Sequence, residues 1–384
     1  MSTGAMGTDI MLPALSVIGA DLAVPNPNDV HSIVTMFFLG MAVGQLLVGP
    51  LSDAFGRRPL IFVGYTLFVL GSVVAALTES WSMMLVARML QGVGASAPKI
   101  VAVALIRDQY EGRAMARIMS IVTAVFILVP IIAPAIGQGL IWAGGWRFTF
   151  VGLSALSILV AIWFALRLPE TLAHENRRPF QPKALAAGLR EVLKTRQTMG
   201  YTLAAGLITG AFIGYLGSAQ KIFHEVFKVG DYFAALFALA ALAIGAASLV
   251  NASLVMRMGM YRLTCWALYA LILLAIGFWL VLIPYAGVPP LWMFVVWQMA
   301  TFFCVGILFA NINALALEPL GHMAGLGAGF VGSISFFISL PLATLIGSAF
   351  NLTVFPMVIG FAALGLATYL SVRWTEIGNT RRLG

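Results

Sequence analysis

Charged residues are scarce in this sequence. Only 9% of its 384 residues are charged, while 61% are apolar. A soluble globular protein of this size needs a charged surface against water, so the composition excludes that class. The apolar runs are about twenty residues long, about twice the segments of a transmembrane β-barrel. The sequence therefore predicts an all-α protein that crosses a membrane many times.

Residues typical of covalent, metal or nucleotide chemistry are also few. The two cysteines, Cys265 and Cys304, lie inside apolar runs, which argues against a disulfide framework. The four histidines lack the spacing of metal ligands, and no phosphate-binding Gly-x-x-x-x-Gly-Lys-Ser/Thr sequence is present. No basic region precedes the first apolar stretch, as it would in a cleavable signal peptide. We expect no enzyme, cofactor, metal or nucleic-acid partner.

Apolar spans follow one another in two groups of six. We predict them at about 4–23, 31–51, 60–78, 82–106, 115–142, 147–168, 198–220, 232–255, 262–284, 290–316, 322–349 and 351–373. The segments between them predict an amino-terminal half at 1–168, a basic cytoplasmic linker at 169–196 and a carboxy-terminal half at 197–384. Two such halves are typical of a transporter with a central cavity.

The distribution of basic residues predicts the orientation. With the amino terminus inside, the inner segments carry seventeen Lys and Arg residues and the outer ones only three. Both termini are therefore expected in the cytoplasm. Only eight residues, none of them basic, precede Asp9. The first helix is then short at its cytoplasmic end, or the true start lies upstream; we expect a truncated or misassigned start.

A short charged hairpin joins the second and third spans. It reads Gly49-Pro-Leu-Ser-Asp53-Ala-Phe-Gly56-Arg57-Arg58-Pro59. Asp53 can accept hydrogen bonds at a helix N-terminus, and Arg57 can pair with Asp108 at the end of the fourth span. Such contacts would act as a conformational latch between the halves. The alternative is a topology signal only, but Asp53 serves no topological purpose.

Asp9 and Arg88 are the candidates for proton coupling. Asp9 is the only acidic residue placed deep in the first half, where an ionised carboxylate is costly and protonation becomes accessible. Arg88 is its natural partner, because arginine stays charged and must find an acceptor. The alternatives are a structural ion pair, or an Arg88 that binds backbone carbonyls of the first helix.

Lys99 leaves two interpretations open. It follows Arg88 by eleven residues, so both side chains project from one helix face about 16 Å apart. Two cations facing a cavity would favour an anionic or electron-rich substrate. Alternatively, Lys99 extends its ammonium group to the lipid headgroups.

Further cavity and packing candidates are polar, aromatic or helix-breaking residues within the spans. In the fifth span, prolines would kink the helix and glycines would allow close packing, unless they reflect ordinary membrane-helix composition. The packing set is Pro130, Pro134, Gly137 and Gly139. Besides Lys99, the cavity candidates are Gln91, Tyr215, Gln220, Gln298, Asn311, Asn313 and Phe336, with interhelical hydrogen bonds and core packing as the alternative.

These motifs together resemble the major facilitator superfamily. The hairpin, Arg88-Met-Leu-Gln-Gly92-Val-Gly94, the Gly/Pro pattern of the fifth span and Leu168-Pro-Glu170-Thr171 match its signatures. Asp9-Ile-Met-Leu-Pro13 and Pro319-Leu-Gly-His322 resemble the bicyclomycin and chloramphenicol resistance group of drug:proton antiporters. Lys99 departs from the small or apolar residue usual in that family.

The resemblance implies a twelve-helix major facilitator fold in a bacterial inner membrane. It also implies that Asp53 meets the eleventh helix. We expect a monomeric, proton-driven exporter of small amphipathic drugs that works by alternating access. Its partners would be the drug, protons and the lipid bilayer. The alternatives are a major facilitator transporter of an anionic metabolite and, remotely, a non-transporting membrane receptor or assembly factor.

Overall fold

The structure is a computed structural model, and it describes residues 2–110, 112–172, 175, 177 and 180–377. Within these residues the regular secondary structure is helical and no strand occurs, so the all-α prediction is confirmed. The chain divides into two compact units. One comprises Met1–Leu189 and Ala328–Ser333, and the other comprises Arg190–Gly327 and Ile334–Gly384.

The first unit contains the amino-terminal helices. They are α1 (Ser2–Asp9), α2 (Leu15–Asp21), α3 (Ser32–Phe55), α4 (Arg57–Leu77), α5 (Trp81–Gln109), α6 (Gly112–Gly144) and α7 (Arg147–Arg167). Helix α8 (Pro182–Lys194) follows, and the unit boundary at 189/190 falls inside it. That boundary lies within the predicted linker, whose cytoplasmic position stays a prediction.

The second unit contains the helices after α8. They are α9 (Arg196–Lys221), α10 (Phe233–Met258), α11 (Met260–Leu282), α12 (Leu291–Leu317), α13 (Ala324–Ser348) and α14 (Phe355–Glu376). Residues 328–333 of α13 cluster with the first unit. Helix α9 packs against α12 and α14, and α12 also packs against α10 and α11.

Each predicted span from the second to the twelfth corresponds to one helix. Ten stretches of the described chain are long and apolar enough to cross a membrane, and α6 contributes a shorter apolar stretch at Leu128–Gly144. With this length and composition, the chain is a multi-pass membrane protein. The predicted twelve-span fold agrees with this arrangement.

The first span differs from its prediction, because it is not one continuous helix. Helix α1 ends at Asp9, a short 3₁₀ turn covers Leu12–Ala14, and α2 begins at Leu15. Pro13 lies inside that turn; proline has no N–H to donate and its ring clashes with the carbonyl four residues earlier. The break therefore falls directly after Asp9.

Helix α5 is the centre of the first unit, packing against both α3 and α4. A side chain at Gly92 would place its Cβ 1.9 Å from the carbonyl oxygen of Phe37, so only glycine allows this approach. Small residues commonly mediate such close packing between membrane helices. The Arg88–Gly94 stretch is thereby held in the interior of the unit.

Candidate functional site

Asp9 lies at the break in the first span. Its residue is only 5% exposed, and within the described residues its carboxylate has no hydrogen-bond or ion-pair partner. The next residue, Ile10, packs its carbonyl oxygen against α6, where a Cβ at Gly137 would approach it to 1.9 Å. The predicted packing glycine of the fifth span thus touches the break beside Asp9.

Arg88 is fully buried on α5 and binds backbone oxygens. Its Nε–H donates to the carbonyl of Ile33 at 3.1 Å, and Nη1 donates to the carbonyl of Gly7 at 2.9 Å. Gly7 precedes Asp9 by two residues on α1. Among the described residues no ion pair joins Arg88 to Asp9, so the geometry follows the backbone-binding alternative. A role in coupling stays a prediction.

A polar chain continues from Arg88 through the interior. Nη1 also donates to Oε1 of Gln91 at 2.7 Å, and Nε2 of Gln91 donates to Oγ of Ser72 at 2.5 Å. The guanidinium carbon lies 4.6 Å from the ring centroid of Phe37. One nitrogen, Nη2, is buried without an acceptor in the described part of the chain. Arg88 therefore retains one unused donor close to α1.

The hairpin between α3 and α4 contains a buried charge network. Arg57 is only 3% exposed, and its Nε–H donates to Oδ2 of Asp108 at 3.0 Å. Its Nη1 donates to Oδ1 of Asp53 at 2.5 Å and to Oγ of Ser52 at 2.7 Å. The structure thus shows the predicted Arg57–Asp108 contact. A latch between the two halves, with Asp53 against the eleventh helix, stays a prediction.

Glu170 also belongs to this network. The sequence indicated it only as part of a family motif and gave no structural role for it. Its carboxylate accepts the backbone N–H groups of Arg57 at 3.0 Å and Arg58 at 3.1 Å, at the first turn of α4. These donors have no partner inside the helix, and a carboxylate there is favoured by the helix dipole. Glu170 therefore caps α4 from 113 residues away.

The same capping contact requires glycine at position 56. Gly56 has φ +106°, a backbone conformation that side chains disfavour. A Cβ there would also lie 2.5 Å from Oε2 of Glu170. Gly49 has nothing within 4 Å of an added Cβ, so no such constraint acts at that position.

The hydrogen bonds to Glu170 change its acidity. Partial burial alone would raise the pKa of this carboxyl group. The backbone N–H groups of Leu172, Arg57 and Arg58 outweigh burial and hold the pKa of Glu170 below its ordinary value. Glu170 is therefore ionised at neutral pH and keeps its capping role there.

The other candidates of the first unit lie on α5 and α6. Lys99 is half-buried on α5, and its two interpretations stay open. Pro130 and Pro134 both lie inside α6 as predicted. Gly139 has nothing within 4 Å of an added Cβ, unlike the closely packed Gly137.

In the second unit, three of the candidates take part in two buried hydrogen-bonded pairs. Nε2 of Gln298 donates to the Tyr215 hydroxyl at 2.5 Å, and Tyr215 meets the Phe302 ring edge-on at 4.6 Å between centroids. Asn311 donates to Oδ1 of Asn251 at 2.7 Å, linking α12 to α10. The sequence left two roles open for these residues, cavity lining and interhelical hydrogen bonding. The contacts observed are interhelical hydrogen bonds.

The remaining second-unit candidates differ in their exposure. Asn313 is exposed and donates to the carbonyl of Phe309 on its own helix at 2.8 Å. Gln220 is buried at the end of α9, and Phe336 is half-buried on α13. None of these placements tests a contact with substrate, so a cavity role stays a prediction.

Two buried charges in the second unit escaped the sequence reasoning. Glu376, at the end of α14, accepts the Tyr201 hydroxyl at 2.7 Å. Lys221, one residue beyond the predicted seventh span at 198–220, is buried, with its ammonium group 5.4 Å from the centroid of the Phe350 ring. Both residues lie at span ends, where hydropathy alone does not distinguish a buried charge from an exposed one.

Comparison with known proteins places this arrangement in a family. The family described as Major Facilitator Superfamily matches residues 2–344. The chain belongs to the major facilitator superfamily. Members of this superfamily are membrane transporters, and the match includes the helix break, Arg88 and the hairpin. The sequence-based resemblance to this superfamily is confirmed.

Similar sequences carry names connected with drug resistance. A bicyclomycin resistance protein homolog of Haemophilus influenzae is 29% identical, with 98% of this chain and 94% of that protein covered. Multidrug resistance protein D of Escherichia coli is 28% identical, with 90% and 86% covered. Multidrug resistance protein MdtL of Escherichia fergusonii is 27% identical, with 85% and 81% covered.

Solved structures agree on the fold. The xylose transporter XylE of E. coli, in a partially occluded inward-open conformation, aligns with a TM-score of 0.74 at 12% identity over 96% of this chain and 94% of that one. The human organic anion transporter MFSD10 aligns with a TM-score of 0.64 at 17% identity over 97% of each chain. At such identities the likeness extends to the fold alone.

Proposed function

We propose that this protein is a proton-coupled exporter of small amphipathic drugs that works by alternating access. The observation that carries the proposal is Asp9, a buried carboxylate without a described partner at a break in the first helix. Discontinuous helices supply ion and substrate sites in many secondary transporters. The drug-resistance names of the similar sequences support the substrate class.

In this mechanism Asp9 exchanges a proton for substrate. The ionised carboxylate is costly in the interior and is stabilised by the positive field of Arg88, which is fixed on Gly7 two residues earlier. Proton and substrate then compete for one site, so that protonation from outside releases the drug. No cofactor is required, since the proton gradient supplies the driving force.

We infer that the protein lies in a bacterial inner membrane. The excess of basic residues at the hairpin end and in the linker supports an orientation with both termini in the cytoplasm. We infer a monomer with the drug and protons as its partners. Chemistry on the substrate is not part of the proposal: the protein moves its substrate and is not an enzyme.

A susceptibility panel tests the proposal. The protein is expressed in an efflux-deficient host and challenged with a range of amphipathic drugs, with and without a protonophore. Protection should require the proton gradient and should be lost in Asp9→Asn, while Asp231→Asn, a change at an exposed position, should protect as well as wild type. Gradient-driven efflux at the wild-type rate in Asp9→Asn would refute the coupling role.

Lys99 bears on the alternative substrate class, an anionic metabolite. Its second positive charge on the face of Arg88 is the observation that favours this alternative. If Lys99→Met changes the spectrum toward cationic drugs, the lysine acts on substrate. An unchanged spectrum would favour the headgroup interpretation. A protein that protects against no drug and moves no anion would instead fit the non-transporting receptor.

A further inference from the structure

An open apolar groove runs along the first unit between α4 and α7. Its volume is about 360 Å³, within the range of about 300–1,000 Å³ typical of ligand pockets. The lining residues are Phe62, Tyr65, Thr66, Val69, Leu70, Ile158, Ala161, Ile162 and Ala165. Several of them, including Leu70 and Ile162, are exposed at the surface. In a membrane protein such a surface faces the acyl chains of lipids.

One end of the groove is closed by Arg58. Its Nη2 donates to the carbonyl oxygen of Ala165 at 3.0 Å, and its guanidinium carbon lies 5.7 Å from the ring centroid of Phe62. Both of these neighbours line the groove. The Nε–H of Arg58 is buried without an acceptor in the described part of the chain. The guanidinium group therefore has an unsatisfied donor where the groove meets the hairpin.

A second cation, Arg177, lies close to the turn that precedes α4. Its Nη2 is 3.3 Å from the position that a Cβ on Gly56 would occupy, two residues before Arg58. Its Nε–H is also buried without an acceptor among the described residues. Two guanidinium groups with unused donors thus lie beside the first turn of α4.

The carboxylates nearby are already engaged. Glu170 accepts three backbone N–H groups, and Asp53 and Asp108 both accept from Arg57. Neither Arg58 nor Arg177 forms an ion pair with these carboxylates among the described residues. An anionic oxygen would satisfy the donors, because arginine forms directional hydrogen bonds with phosphate.

We propose that the groove binds an anionic phospholipid of the surrounding bilayer, with its phosphate against Arg58 and Arg177 and an acyl chain along α4 and α7. The apolar lining fits the chain, and the unsatisfied arginine donors near one end fit the phosphate. Basic side chains near a membrane surface favour anionic lipid by about 1 kcal/mol each, which is about fivefold in affinity. The site is independent of the proposed drug transport.

Native mass spectrometry of the full chain in mild detergent tests the site. The probes are phosphatidylglycerol and phosphatidylcholine with identical acyl chains. Phosphatidylglycerol should bind at least about fivefold more tightly. The double change Arg58→Gln/Arg177→Gln should abolish this preference, and Ala161→Trp should reduce binding of both lipids by filling the groove. Arg257→Gln, a control at an exposed arginine of the second unit, should leave the preference intact.

Two results would overturn the proposal. Equal binding of the two lipids would show an acyl-chain slot without headgroup recognition. An unchanged preference in the double variant would place the recognition elsewhere. If the double variant does not fold, judged by gel filtration, Arg177→Gln alone decides the question, because Arg177 lies outside the helices and its loss should weaken phosphatidylglycerol by about fivefold.

Discussion

The hairpin between α3 and α4 and the hairpin between α10 and α11 are built on the same turn but differ in chemistry. Each joins two helices through one glycine with positive φ, +106° at Gly56 and +78° at Gly259. Around Gly56 the arginine is buried and bound by two carboxylates. Around Gly259 nothing lies within 4 Å of an added Cβ, and Arg257 is exposed. Turn geometry therefore does not determine the charge network.

This difference separates the part of the hairpin motif that makes the turn from the charged part that the turn does not require. The glycine alone is sufficient to end one membrane helix and begin the next. Asp53 is not needed for the turn, since the second hairpin has Met256 at the corresponding position, three residues before its glycine. An acidic residue at this position in the first hairpin alone is what supports a conformational role for that hairpin.

The strongest test of the comparison removes the arginine from each hairpin. Arg57→Ala leaves Asp108 and Asp53 without their cation, and breaking a buried pair costs about 3–5 kcal/mol. Because Asp53 is partly exposed, we expect a loss near the lower end, about 3 kcal/mol, in the free energy of unfolding measured by detergent titration. Arg257→Ala should change it by less than about 0.5 kcal/mol. Equal losses would mean that the two hairpins do not differ.

The second test adds a methyl group to each turn. Both glycines have a backbone conformation that costs about 1–3 kcal/mol for other residues. Gly56→Ala should cost about 1 kcal/mol more than Gly259→Ala, because its Cβ displaces Glu170 from the end of α4. In a Glu170→Ala background this difference should disappear. If it persists, the clash with Glu170 is not its cause.

The smallest expected effect concerns the capping carboxylate itself. Glu170→Gln replaces one acceptor oxygen with a donor and should cost about 1 kcal/mol at neutral pH. Because the pKa of Glu170 is lowered by folding, its contribution is complete above the ordinary carboxyl pKa of about 4.3 and is lost as the pH falls through the lower folded value.

Thermal unfolding midpoints of wild type and Glu170→Gln check this dependence. The gap between them should be constant from about pH 6 to 8, should begin to shrink below the ordinary carboxyl pKa of about 4.3, and should close once the pH is below the lower folded value. A gap that persists in acid would show that Glu170 acts through its shape and not its charge.

Much of the fold was predictable because apolar runs and basic loops are local signals. Each span from the second onward corresponds to one helix, and the Arg57–Asp108 contact was anticipated from the position of both residues at span ends. The break after Asp9 was missed, although Pro13 is a local signal for it. The length of the apolar run alone made the first span look continuous.

Other contacts over long sequence separation were not predictable. Nothing local to Glu170 indicates that it caps a helix that begins at Arg57, because the contact depends on how α4 and α7 pack. The sequence likewise left open whether Arg88 binds a carboxylate or a backbone carbonyl. The structure selects Gly7, a choice that depends on the position of the interrupted first helix.

The way α1 is held has a consequence for how this protein can evolve. Arg88 donates a hydrogen bond to the main-chain oxygen of Gly7, and Gly137 packs closely against the main-chain oxygen of Ile10. Main-chain oxygens are the same whatever side chain a residue carries. These two contacts therefore persist when a side chain of the first helix is replaced by one of similar size, so such replacements can alter what the transporter accepts while Asp9 keeps its place. Resistance to a new compound could arise there by drift, without rebuilding the scaffold.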